Sequence, residues 1–346
     1  DAVKDLSPFD LESQDVDWII RHIKDSLSQE EFHLDFFEWS EKYILTKRET
    51  TRRVYETALN TFERFLGKIS IDIDDISRPM LLDFMEMVDN EPWMHWNPQK
   101  GMLIMSKSEK IPKGASTRHL AKLEHLFNAA KDKYNDEDAG RILIPRSPFS
   151  KIAKFYPISQ GQGNLGKDLM QKIISAQVDN EVMRIALDLF IVSFGLMGAN
   201  MADLYFAKPV QEEWIYNRQK TMTRRADRAE MRVKIPAQPY LERLKGTGGW
   251  WLNELHRFAS TKDFATAREN RQLRIWCKEN GVEEFTFYSA RHTWASLCRN
   301  ECKIDKATID DCLGHKGSFQ VADIYAEKSW DLCQEANKKD LDLFTW

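Results

Sequence analysis

The sequence of 346 residues contains no run of 18 apolar residues, so no segment is long enough to cross a membrane. Its first residues, DAVKDLSPFD, are acidic and lack the apolar core of a signal peptide. No CxxC pair occurs, and the cysteines are five in number, all between Cys277 and Cys333. An odd count favours free thiols in a reducing compartment. The sequence therefore predicts a cytoplasmic protein with no membrane partner.

One pair of residues, Cys312 and His315, has a spacing that metal ligands also use. No second ligand pair follows it, and a structural zinc site needs four ligands. We therefore expect neither a metal nor another cofactor.

The net charge of −4 counts against a nucleic-acid partner, but the charge is unevenly distributed. Residues 100–122 hold six Lys or Arg and one Glu, residues 141–156 hold four basic and no acidic residues, and residues 216–234 hold seven basic and two acidic residues. Such patches can follow a phosphate backbone locally, or they are solvated faces.

The first part of the chain has the periodicity of four amphipathic helices. The first is predicted from Ser28 to Ile44, and the second carries an apolar stripe that includes Val54. The third begins after a Ser77 cap, and a loop over 91–114 precedes the fourth. Four helices of this length predict a small bundle at residues 28–155, after an acidic segment at 1–27.

A segment rich in proline and glycine, IPRSPFSKIAKFYPISQGQGNLG, marks the boundary to a second domain at residues 156–346. This part alternates helices with one probable hairpin. The strands EEWIYNRQKT and AEMRVKIP flank a basic turn.

Four segments, YNRQKT, FYSARHTWAS, LGHKGSFQVADIY and FGLMGANMADL, together resemble the tyrosine recombinases, or phage-type integrases, most closely those of conjugative transposons. The resemblance implies a mainly α fold, with an N-terminal four-helix core-binding bundle and an α-helical catalytic domain that carries a small antiparallel β-sheet. It implies double-stranded DNA recombination sites as partner, and a protein that is monomeric in solution and tetrameric on DNA.

The resemblance makes Tyr325 the nucleophile, which would leave a 3′-phosphotyrosine and need neither metal nor ATP. Arg291 matches the family's second arginine and would bind two phosphate oxygens, unless it pairs with a core carboxylate. His315 would hydrogen-bond the phosphate, unless it only lies at a helix end. Lys220 would protonate the departing 5′-oxygen, unless it is a solvated or phosphate-contacting turn lysine.

Two positions depart from the family pattern. Tyr288 stands where a histidine is usual, and a phenol with a pKa near 10 is a poor general base. Met197 stands where the family's first arginine is usual, and methionine cannot bind phosphate. Arg184 is our preferred substitute, and the alternatives are Arg224, Arg225 and Arg228 in the hairpin turn.

Further basic residues are predicted to contact DNA. They are Arg52, Arg53, Arg118 and Lys122 on the bundle helices and Arg218, Arg224 and Arg225 in the hairpin. The family's arm-binding domain is expected to be absent from this chain. Residues 329–346 end in an apolar cluster that we expect to dock on a neighbouring protomer, with packing on its own domain as the alternative.

The resulting hypothesis is a site-specific recombinase that integrates or excises a mobile element. A type IB topoisomerase-like nicking-closing enzyme would share its nucleophile chemistry. A DNA-binding protein that keeps the fold without the chemistry is favoured by Met197. A helical adaptor without a DNA role is favoured only by the net charge.

Overall fold

The computed structural model describes residues 32–91, 114–154, 163–223, 229–236, 239–315 and 328–346, and the backbone of Met94–Asn97 and Met102–Met105. The chain divides into two compact units, residues 1–158 and 159–346. None of the helices in these ranges has the length and apolar character that a bilayer crossing requires. Four predicted site residues lie outside the described residues: Tyr325, Arg224, Arg225 and Arg228.

The described part of the first unit is a bundle of four helices. They are α1 (Phe36–Ile44), α2 (Glu49–Leu66), α3 (Arg78–Asn90) and α4 (Ala115–Tyr134), with a 3₁₀ turn at Ile73–Asp75. Phenylalanine side chains fill the centre of the bundle, where Phe36, Phe62 and Phe84 are fully buried. Their edge-to-face contacts add about 1 kcal/mol each to the burial of apolar area. This confirms the predicted bundle.

Helix α1 begins later than the sequence predicted. The side chain of Asp35 accepts a hydrogen bond from the backbone N–H of Glu38 at 2.8 Å and so caps the helix. Just before it, the backbone is tied to the 3₁₀ segment, since Ile73 N–H donates to Leu34 O at 2.9 Å. This pairing holds residues 32–35 out of the helix, so a continuous helix over 28–44 is wrong and the helix begins at Phe36.

Two further details of the first unit differ from the prediction. In α2 the buried residues are Tyr55, Ala58, Leu59 and Phe62, while Val54 is exposed. The expected loop after α3 contains a hairpin, in which β1 (Met94–Asn97) pairs antiparallel with β2 (Met102–Met105).

The second unit is also mainly helical. Its helices are α5 (Lys167–Ile174), α6 (Glu181–Gly195), α7 (Met201–Tyr205), α8 (Pro239–Lys245), α9 (Asn253–Arg257), α10 (Lys262–Asn280), α11 (Ser289–Asn300), α12 (Lys306–Cys312) and α13 (Trp330–Leu341). The predicted hairpin is confirmed, with β3 (Glu213–Asn217) antiparallel to β4 (Glu230–Lys234) and Trp214 opposite Val233.

Helix α6 forms the centre of this unit. Asn180 caps its first turn by accepting a hydrogen bond from Met183 N–H at 3.0 Å. Every residue from Ile185 to Gly195 is buried, and α8, α10 and α11 pack around it. A helix that is apolar on all sides is stable only inside a core, so this sequence fixes the position of α6 in the middle of the unit.

In the single chain the C-terminal segment packs on its own unit, which is the alternative to docking on a neighbouring protomer. Asn337 on α13 accepts a hydrogen bond from Trp294 Nε1–H of α11 at 2.8 Å. Phe344 is buried, with its ring edge-to-face against Phe194 of α6. Phe344 of the terminal apolar cluster is thus buried within the same unit, while Trp346 is 38% exposed. Docking on a neighbouring protomer stays a prediction.

We predict that Asn337→Ala lowers the free energy of unfolding by about 2–4 kcal/mol, measured by urea denaturation. The variant leaves two buried groups without a partner, because the Asn337 amide also donates to Gly195 O at 2.9 Å. The matched control is Lys338→Ala on the same helix, whose exposed side chain pairs only with Asp342. Equal stability of the two variants would show that the amide does not hold α13 in place.

Candidate active site

Arg291 lies in the first turn of α11 and is only 5% exposed. Its Nη1 donates to the carbonyl oxygen of Gly198 at 3.3 Å, in the loop after α6, and its Nη2 donates to the carbonyl of Leu313, in the loop after α12. Among the described residues it forms no ion pair with a carboxylate. The core ion pair considered as an alternative is therefore absent from its described contacts.

Arg218 reaches the same place from the hairpin. It follows β3 directly, is 6% exposed, and donates from Nη1 to Leu313 O at 2.8 Å and to Gly314 O at 3.1 Å. The carbonyl of Leu313 thus accepts hydrogen bonds from both arginines. Two buried guanidinium groups lie side by side on one turn of backbone.

Among the described residues, the buried carboxylate of Asp203 on α7 acts on both arginines. It accepts a hydrogen bond from Gln219 N–H at 2.8 Å; burial raises its pKa, and Arg218 and Arg291 act in the opposite direction. Burial lowers the pKa of Arg291 to about 10, and the neighbouring charge of Arg218 acts in the same direction. The described groups around the two arginines carry a net positive charge in a poorly hydrated site. A bound anion would stabilise that charge.

His315 stands at the edge of the arginine pair. Its Nε2 lies 3.3 Å from Nη2 of Arg291, and its Nδ1 lies 3.1 Å from Oδ1 of Asp310. A guanidinium has no acceptor, so this geometry assigns the tautomer with the proton on Nδ1, donated to Asp310. Burial lowers the pKa of His315 despite the aspartate. An anion beside Nε2 would raise that pKa, because it stabilises the imidazolium.

Two glycines in left-handed conformation allow the backbone to approach the arginines. Gly198 has φ of +69°, and a Cβ there would lie 2.4 Å from Cα of Arg291. Gly314 has φ of +61°, and a Cβ there would lie 3.0 Å from Cδ of Arg218. The glycines of FGLMG and LGH are therefore required by both φ and space.

Met197 and Arg184 lie away from these groups. Met197 is 1% exposed and belongs to the apolar core around α6. Arg184 is exposed on α6, eleven residues before Gly195 and hence about 16 Å along the helix axis. There it lines a pocket with Asp188 and Arg243. The structure does not bring Arg184 together with Arg291.

Lys220 and Tyr288 are both exposed. In the sequence, Lys220 lies two residues after Arg218, and Tyr288 lies three residues before Arg291. Lys220 is exposed in the turn after β3, where Thr221 N–H donates to Arg218 O at 3.0 Å. Tyr288 precedes α11 and is 48% exposed, with its ring centroid 5.0 Å from that of His292 in an edge-to-face contact. Both side chains are free of the core and available to a ligand at the surface.

The basic residues of the first unit differ in their surroundings. Arg52 and Arg53 each pair with a glutamate one turn away on α2. Arg118 is exposed on α4, and Lys122 lies 5.4 Å from the centre of the Tyr55 ring. The positive charges of the α4 residues are therefore less neutralised by neighbouring carboxylates than those of the α2 residues.

A metal site finds no support in the described ranges, which contain no group of three or more His, Cys, Asp or Glu that could hold an ion. The five cysteines are free thiols. Cys312, considered above as a ligand beside His315, is buried and hydrogen-bonds to Cys333.

Sequence reasoning missed Asp203 and the position of Arg218 beside Arg291. One pattern pointed to the latter. In a strand alternate residues share a face, so Trp214, Tyr216 and Arg218 point the same way. Because Trp214 is a large apolar residue that belongs in the core, Arg218 was predictable as an inward-facing arginine.

We predict that Gly198→Ala destabilises the protein by about 2–5 kcal/mol, combining a left-handed alanine with a clash against Arg291. Gly281→Ala is the matched control, because φ there is +65° and no atom lies within 4 Å of the added Cβ. Urea denaturation should give about 1–2 kcal/mol for the control. Equal losses in both variants would show that close packing on Arg291 is not what requires Gly198.

Comparison with known proteins identifies a family domain and structures of similar fold. Residues 35–139 match the phage integrase SAM-like domain. A lambda integrase dimer bound to a COC′ core site superposes with a TM-score of 0.56 at 16% identity, covering 94% of this chain and 85% of that one. A lambda integrase tetramer bound to a Holliday junction gives 0.57 at 15%, covering 91% and 84%.

The integrase of transposon Tn1549, in complex with transposon right end DNA, gives a TM-score of 0.57 at 12% identity, covering 89% of this chain and 100% of that one. Curated proteins give no significant match to the sequence. The phage integrase SAM-like domain, in a chain with the fold of the lambda and Tn1549 integrases, confirms the resemblance to the tyrosine recombinase family, the phage-type integrases.

Proposed function

We propose that the protein is a site-specific DNA recombinase that cleaves and rejoins DNA strands through a 3′-phosphotyrosine at Tyr325, to integrate or excise a mobile element. The observation that carries the proposal is the pair of buried guanidinium groups, Arg291 and Arg218, held against the Leu313 carbonyl. Among the described residues, Asp203 is the buried carboxylate that acts on both. An oxyanion of a phosphodiester supplies the negative charge that this place lacks.

In the proposed reaction the Tyr325 oxygen bonds to phosphorus, its proton passes to solvent water, and the bond from phosphorus to the 5′-oxygen breaks. Arg291 stabilises the charge on the non-bridging oxygens, where its fixed fork matches two acceptors. Lys220, exposed in the hairpin turn, gives a proton to the departing 5′-oxygen. The phosphotyrosine linkage conserves the energy of the broken phosphodiester bond, so rejoining needs no ATP.

His315 and Tyr288 assist at the same phosphate. His315 is neutral without a ligand because burial lowers its pKa. As the anion approaches, Nε2 takes up a proton and can donate to an oxygen. Tyr288 presents an exposed hydroxyl three residues before Arg291 and can donate a hydrogen bond without acting as a base.

The partner in this proposal is double-stranded DNA, and the active assembly is a tetramer on it. Both lambda integrase and the Tn1549 integrase are bound to DNA in their structures, and one lambda structure is a tetramer. In this chain Arg118 and Lys122 on α4 supply basic side chains for backbone contacts. Arg52 and Arg53, Arg224 and Arg225 are proposed as further contacts.

A second candidate is a DNA-binding protein that keeps the fold without the chemistry. It is favoured by Met197, whose thioether is buried in the core and cannot contact a phosphate. The two candidates agree on DNA binding and differ on covalent attachment, so covalent attachment decides between them.

The test uses nicked duplexes with randomised sequence around the nick, from which a covalent adduct is recovered in denaturing detergent. We predict an adduct with the unaltered protein and none with Tyr325→Phe, while DNA affinity changes less than about twofold. Arg291→Lys should slow adduct formation by roughly 100-fold or more, because a transition-state contact is lost.

Tyr134→Phe is the matched control, since its ring packs against Phe32 in the first unit and should leave adduct formation unchanged. Adducts at full yield with Tyr325→Phe would contradict the assigned nucleophile. DNA binding without any adduct would favour the second candidate. If adducts form, exchange between paired sites distinguishes a recombinase from an enzyme that only relaxes supercoils.

A further inference from the structure

We propose that Arg218 replaces the arginine that is missing at Met197, and that it contacts the scissile phosphate together with Arg291. The assignment rests on the proposed function and names a residue for it that the family pattern does not supply. In the family pattern this guanidinium belongs to the loop after α6, whereas in the proposal it belongs to the end of strand β3.

The first support is convergence. The Leu313 carbonyl accepts hydrogen bonds from Arg218 at 2.8 Å and from Arg291, so the two donating nitrogens are within about 6 Å of each other. A phosphate group has oxygens enough to bridge such a pair. Arg184, by contrast, lies near the other end of α6 with Asp188 and Arg243.

The second support is the cost of placing these charges together. Arg218 is 6% exposed and Arg291 is 5% exposed, and their repulsion is unfavourable in a poorly hydrated site. A purely structural arginine is normally buried with a carboxylate of its own, as Arg268 is with Glu269. Asp203 acts on both arginines and forms a described ion pair with neither.

The third support is the remaining hydrogen-bonding capacity. Among the described residues, Arg218 donates only through Nη1, to Leu313 O and Gly314 O. These bonds fix the guanidinium plane, while Nε and Nη2 make no hydrogen bond within the described part of the chain. A guanidinium that is oriented by carbonyl groups and keeps donors for a ligand is preorganised for an anion.

The hairpin gives this arrangement a chemical purpose. Lys220 lies two residues after Arg218 in the same turn, so one element carries both a phosphate-binding group and the proposed acid for the 5′-oxygen. Asp203 accepts the N–H of Gln219 between them at 2.8 Å and fixes the start of the turn. The hairpin therefore presents both groups to a bound phosphate from one element.

The test compares Arg218→Ala with Arg232→Ala, a matched control on the partner strand whose guanidinium pairs with Glu230. On a duplex that the unaltered protein attacks, we expect Arg218→Ala to slow adduct formation by about 100- to 1,000-fold. On the same duplex with an uncharged methylphosphonate at the scissile position, the loss should shrink to less than about tenfold, because no charge remains to be neutralised. A merely structural role would give the same loss on both substrates.

The salt dependence of DNA binding tests whether Arg218 contacts a phosphate, and this measurement does not require cleavage. Replacing Arg218 should reduce the slope of log affinity against log salt by about one, and Arg232→Ala should leave it unchanged. If the unaltered protein forms no adduct, the proposed function fails, and this slope still decides whether Arg218 binds a phosphate. Adduct rates and slopes that match those of Arg232→Ala would overturn the assignment. If the alanine variant does not fold, Arg218→Lys, which keeps the charge, takes its place in the test.

Discussion

The site depends on one carbonyl group, that of Leu313, to which two buried arginines donate. Like charges that are taken out of water repel each other, and each loses its hydration. Backbone carbonyls of Leu313, Gly198 and Gly314 recover part of that loss without neutralising the charge. The result is a site in which backbone carbonyls hold the guanidinium groups and the net charge stays positive. This is the condition for binding an oxyanion tightly in its transition state.

The remainder of the second unit can be understood as support for that arrangement. The apolar helix α6 fixes the loop that carries Gly198, and α11 packs on α6 and carries Arg291. Strand β3 delivers Arg218, and the turn after α12 delivers Leu313 and His315. Each element brings one polar group to a common point, and its opposite side is packed into the core. Small displacements of these elements would separate the guanidinium groups.

Much of this was predictable from the sequence, where short motifs fix local chemistry. The positions of Arg291 and His315 followed from ARHTWA and LGH, and the hairpin followed from alternation around a basic turn. The four helices of the first unit followed from apolar spacing. These features depend on neighbours in the chain, so the sequence alone contains them.

Features that depend on distant contacts were not predictable. The pairing of residues near Asp72 with the chain before α1 delays that helix, and no local pattern indicates it. Arg184 was chosen for its apolar surroundings in sequence, yet it lies at the exposed end of α6. Whether Arg218 faces Arg291 depends on how β3 docks against α11, which is a tertiary property. The packing of α13 on its own unit is of the same kind.

The most direct test of the account is X-ray diffraction from crystals of the full chain soaked in tungstate, an oxyanion of phosphate geometry that scatters anomalously. The account predicts an anomalous peak whose oxygens lie about 3 Å from guanidinium nitrogens of both Arg218 and Arg291. It also predicts that the peak disappears in Arg291→Ala. Tungstate bound only at other surfaces, with the arginine pair unoccupied at saturating concentration, would contradict the claim that these two residues form an anion site.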